Sequence, residues 1–156
     1  MNPNKKIRRL QSLLYTSGVG TVLFSLWSGV REIGIFFDGL KQLSNMDGWM
    51  ISAETIKAFY VVFFFLFLFS FSFLYIYIGN KAILTSRAKN RSNAYIVWSV
   101  ILIIGSFATH VHSLVNFQSA PEIRMEQIIL FVIDVTSNII LVEVVVFSVL
   151  LKRMRC

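Results

Sequence analysis

Ala58–Asn80, AFYVVFFFLFLFSFSFLYIYIGN, is the stretch that decides the fold: between Lys57 and Lys81 it carries no charge and no proline. At about 1.5 Å per residue, a helix of this length crosses a hydrocarbon core of roughly 30 Å. A helix that is apolar on every face has no polar side to offer water, so the remainder of the chain is read in lipid.

Composition agrees. Of 156 residues 56% are hydrophobic, and the mean hydropathy is +0.69. Soluble domains hold about half apolar residues, so little is left here for a water-soluble unit, and residues 1–156 read as a single membrane domain. The formal charge of +7 does not indicate nucleic acid. That would need a basic face on a folded surface, whereas here the cations sit in short runs between apolar spans. The single cysteine, Cys156, has no internal disulfide partner. It lacks the three following residues of a prenylation motif, which leaves palmitoylation as the lipidation it could carry.

Outward from 58–80, the chain divides into three further spans. Lys5, Lys6, Arg8 and Arg9 precede an apolar run that continues from Leu13 to Val30 without an Ala-x-Ala site. That run is too long for a signal-peptide core and reads as an uncleaved first span over about 11–32. Ser17, Thr21, Ser25 and Gly29 recur in it every four residues, a stripe of small side chains that lets a neighbouring helix approach closely. The following 33–57 reads as an extracytoplasmic connection with an amphipathic segment: Ile33, Phe36, Phe37, Leu40 and Leu43 keep helical spacing, Asp38, Lys41 and Gln42 fill the other side, and Trp49 suits the headgroup level. Residues 81–93 form a basic loop with Lys81, Arg87, Lys89 and Arg91. The third span is expected over about 94–114 and the fourth over 128–150. Ser119 and Glu122 have the spacing of a capping box at the start of the fourth helix, and Lys152, Arg153 and Arg155 stop it.

Four spans alternate sides, so charge sets orientation. Lys5, Lys6, Arg8, Arg9, Lys81, Arg87, Lys89, Arg91, Lys152, Arg153 and Arg155 share one side, against Lys41, Lys57 and Arg124 on the other. Positive charge stays inside. The fold class predicted is an all-α integral membrane protein, a four-transmembrane-helix antiparallel bundle in the cell membrane with both termini cytoplasmic.

Ionisable residues within lipid are costly, so each is a functional candidate. Aligning the spans at their cytoplasmic ends puts Arg31 and Glu32, His110 and His112, and Asp134 in the outer third of the membrane, with Asp134 about 9 Å inside its span. Asp134 and Asn138 share a face with Ser137 alongside. Ser99, Ser106, His110 and Ser113 form a stripe on the third helix, and the two stripes are expected to face each other. Arg31, Glu32, His110, His112, Asp134 and Asn138 are therefore the candidate polar cluster. His110 and His112 point about 200° apart on a helix, which argues against one metal ion held by both. Glu143 lies on the opposite face from Asp134. It is expected either to contact another protomer or to be satisfied at the inner leaflet, where Tyr15, Ser17, Tyr75, Trp98 and Ser99 offer partners.

No Cys-x-x-Cys, His-Glu-x-x-His or glycine-rich phosphate loop occurs, so no catalytic residue, cofactor or metal is assigned. Two function classes follow. One is a non-enzymatic membrane protein acting through helix–helix contacts, as an accessory subunit, regulator or immunity-type partner. The other is a small oligomeric proton-linked transporter or channel using the outer His/Asp/Glu/Arg cluster. The expected partners are the lipid bilayer and a second copy or another membrane protein.

Overall fold

The computed structural model describes residues 3–44, 53–89, 92–117 and 125–154. Four antiparallel helices follow one another: α1 Pro3–Ser44, α2 Ala53–Ser86, α3 Ala94–Phe117 and α4 Met125–Arg153. Among the described residues there is no strand. Three helices are long and apolar enough to cross a membrane, with candidate spans Asn4–Lys41, Glu54–Ser86 and Phe131–Arg153; in α3 the side chains described, Ala94–Ala108, form a further apolar stretch. α1 packs most extensively on α2 and next on α4, and α3 packs chiefly on α4; among the described residues the backbones of α1 and α3 do not come close.

The lengths follow from local sequence. α1 has its only proline, Pro3, at the first helical position, where the ring removes no intrahelical hydrogen bond. Nothing interrupts it until Ser44, so residues 33–44 continue α1 rather than forming a separate segment. α2 stops where Ala88 takes φ 61°. Lys89 N–H then donates to the Leu84 carbonyl and Ala88 N–H to that of Thr85, the double bond pattern that closes a helix C-terminus. Glycine is the usual residue at that position, and alanine there costs on the order of 1–2 kcal/mol. At the start of α3 the Asn93 carbonyl accepts from Ile96 and Val97 N–H. Lys152, near the end of α4, donates to the Ser92 carbonyl and to Asn93 Oδ1, fastening α4 to the α2–α3 turn.

The core gathers at the end carrying the basic residues: Leu10 and Leu14 from α1, Tyr75, Ile78 and Ala82 from α2, Tyr95 and Leu102 from α3, and Leu141, Val144 and Leu151 from α4. The register of α1 on α2 is set by glycine. A Cβ on Gly79 would sit 2.6 Å from Val22 Cγ2 and 2.7 Å from the Gly18 carbonyl oxygen, so only hydrogen at both positions allows this approach. From there the pairing runs on through Gly29 beside Ser72 and Gly39 beside Tyr60. At the far end Phe36 lies buried among Tyr60, Phe64 and Phe65, with ring centroids 5.6, 4.4 and 5.9 Å away.

Candidate functional site

The small-residue stripe of α1 lies inside: Ser17, Thr21 and Ser25 are all buried. Hydroxyls in such a place must find acceptors. Thr21 donates to the Ser17 carbonyl at 2.9 Å and Ser25 to that of Val22 at 2.6 Å. Ser17 instead reaches across the bundle and donates to Glu143 Oε2 at 2.8 Å, so Glu143 is hydrogen-bonded within its own bundle. One turn away along the same α1–α4 contact, Gly20 admits Ile140.

The α4 stripe turns toward α3 and α2. Asn138 Nδ2 donates to Ser106 Oγ at 2.7 Å, which joins the two polar stripes at one point. Ser137 makes a side-chain hydrogen-bonding contact with the phenol of Tyr75 on α2. Asp134, Asn138 and Glu32 are each half-buried. The backbone of Arg31, His110 and His112 belongs to α1 and α3, but their side chains lie outside the described residues, as does Trp49. The structure thus brings together Ser137 with Tyr75 and Asn138 with Ser106, with Asp134 on the same face of α4 as Asn138.

The sequence offers Tyr75 as a partner for Glu143; in the bundle its phenol contacts Ser137 of α4, while Ser17 is the residue that bonds Glu143.

A second polar group, of which the sequence reading singles out only Ser99, lies nearer the basic end. Thr85, Ser86, Ser99 and Ser148 are buried there with Tyr95. Thr85, Ser86 and Ser99 donate to backbone carbonyls of Lys81, Ile83 and Tyr95. Among the described residues the Tyr95 hydroxyl and Ser148 Oγ have no hydrogen-bond partner. Lys152 Nζ stands 5.3 Å over the Tyr95 ring, and two more cation–ring pairs share that end, Arg87 over Tyr15 and Lys81 over Tyr77. Ile78, Leu102, Leu141 and Val144 are buried in the same core.

A cavity of about 620 Å³ opens on the outer surface between α1 and α2, with Gly29, Ile33, Phe69, Ser72, Phe73 and Ile76 among its lining. Its walls are almost wholly hydrocarbon, so it suits an apolar side chain rather than a polar substrate. Among the described residues no three His, Cys, Asp or Glu side chains gather to hold a metal ion. No protein family, curated protein or solved structure matches the chain.

Proposed function

We propose that this chain is a four-span protein of the cell membrane, with both termini cytoplasmic, that acts through helix–helix contacts as a non-enzymatic accessory subunit, regulator or immunity-type partner. Three helices are long and apolar enough to span, and α3, 24 residues long and packed along α4, serves as the fourth. Lys5, Lys6, Arg8, Arg9, Lys81, Arg87, Lys89, Lys152 and Arg153, at the end where α1 begins and α4 finishes, favour that end as cytoplasmic.

One observation carries the functional reading: the interior is closed and largely self-satisfied, while the outer face of α2 is a row of exposed phenylalanines. The carboxylate of Glu143, the amide of Asn138 and most buried hydroxyls are bonded within the bundle. A proton-linked transporter would need a polar route from one end to the other, whereas the polar contacts between helices are separate pairs, Ser17 with Glu143 and Asn138 with Ser106. What remains available for recognition is helix surface. Partners are then the bilayer and either another copy or another membrane protein, with no role for nucleic acid.

Native mass spectrometry of the protein extracted in mild detergent tests this. A defined complex, with itself or with another membrane protein, is expected. A monomer that conducts protons in liposomes would refute it.

A further inference from the structure

α2 is exposed round most of its circumference, Phe63, Phe65 and Phe67 included, and within that surface one set of residues keeps a regular spacing. Phe59, Val62, Leu66, Phe69 and Phe73 are 59–73% exposed, and they are spaced 3, 4, 3 and 4 apart. That alternation is the repeat by which two helices wind around each other with a left-handed crossing of about 20°. The row lies opposite the buried side of the same helix, which carries Phe64, Tyr75 and Ile78.

Lipid covers only part of this row. Antiparallel pairing puts Gly18 beside Gly79, Gly29 beside Ser72 and Gly39 beside Tyr60, so Asp38 and Lys41 of α1 stand level with the first turns of α2. Asp38 and Lys41 form an ion pair at 3.7 Å whose side chains are 75% and 80% exposed. An ion pair so open to its surroundings does not sit in hydrocarbon. The end of α2 that includes Phe59 and Val62 therefore projects into the headgroup region or beyond it. Large apolar side chains exposed there call for protein.

We propose that this row is the seam of a homodimer, covered by the same row of a second copy in a parallel, two-fold arrangement. The proposal rests on the helix-contact reading above and names its partner. Three features favour a second copy. Two-fold interfaces must be self-complementary, and this face has both projections, Phe69 and Phe73, and beside them the 620 Å³ cavity backed by Gly29. From Lys57 to Lys81 there is no charge, so pairing the row with itself brings no like charges together. Finally, aromatic side chains bury about 150–250 Å² each, so the row holds on the order of 500 Å² per protomer, a large part of the roughly 800 Å² per partner in a stable interface.

Single cysteines in a Cys156→Ser background, oxidised in native membranes, test the seam. Phe59→Cys, Leu66→Cys and Phe73→Cys should give disulfide-linked homodimer several-fold above Leu23→Cys and Ile104→Cys, which are as exposed but lie on α1 and α3. Native mass spectrometry of the unsubstituted protein requires no change to the seam and should show a dimer. Equal crosslinking at all five positions, or none, overturns the seam even if a dimer is present. A complex with a different protein overturns self-pairing while supporting the helix-contact reading. A monomer without any partner overturns both.

Discussion

Glu143 shows how one buried contact assigns unequal importance to its two partners. The Ser17 hydroxyl donates to its carboxylate inside the α1–α4 contact, and a carboxylate in an apolar interior depends on such donors. Removing the donor leaves the carboxylate unsatisfied, a loss of about 1–3 kcal/mol. Changing the acid to its amide keeps an acceptor for Ser17 and removes the charge whose burial is expensive. Ser17→Ala should therefore destabilise the protein in detergent, while Glu143→Gln should hold or raise its stability. Thermal unfolding of the two variants side by side checks this, and the reverse order would show that the ionised carboxylate has a stabilising partner other than Ser17. Sequence alone came close here, because counting residues from the basic end of each span put Ser17 among the few donors at the depth of Glu143. It could not choose among them, since that choice depends on how α1 is rotated against α4.

At the scale of the element, glycine positions decide how close α1 and α2 come. Gly79 has no room for a methyl group, with Val22 and the Gly18 carbonyl within 2.7 Å of the site of its Cβ, whereas among the described residues a Cβ on Gly34 would meet nothing within 4 Å beyond its own helix backbone. Overpacking a tight contact costs about 1–3 kcal/mol, but replacing glycine by alanine at an open helical site gains up to about 1 kcal/mol. Gly79→Ala is thus expected to lower the melting temperature and Gly34→Ala to leave it level or raise it. Two equal melting shifts would mean that the crossing can relax. The existence and order of the helices were legible because uncharged runs and basic stops mark them in the sequence. Their ends were less so. Residues 33–44 read as part of a connection because Asp38, Lys41 and Gln42 break the apolar run, yet the backbone stays helical to Ser44 because Phe36 is held among Tyr60, Phe64 and Phe65. Contacts with α2 sustain α1 there where its own hydropathy does not.

At the scale of the whole molecule, the uncharged runs of the helices do not lie level with one another. On α1 the run ends at Arg31, while on α2 it extends to Ala58, which the antiparallel pairing sets beyond Asp38. Hydropathy reports where each helix could sit in lipid; the glycine contacts report where it sits relative to its neighbour, and the two differ by about ten residues, or roughly 15 Å. A single bilayer must settle on one depth. Setting it by α2 would submerge the exposed Asp38–Lys41 pair, at several kcal/mol for the charges, whereas setting it by α1 leaves apolar α2 surface outside the hydrocarbon, which a protein contact can cover. In the proposed topology the depth therefore follows α1. A membrane-impermeant maleimide should label Asp38→Cys, in the Cys156→Ser background, from the outside of intact cells, and should label Asn90→Cys only after permeabilisation. Labelling of both from the same side would reject the orientation. If Asp38→Cys instead resists reagent from either side, the depth follows α2, and the argument that takes Phe59 and Val62 out of lipid fails with it.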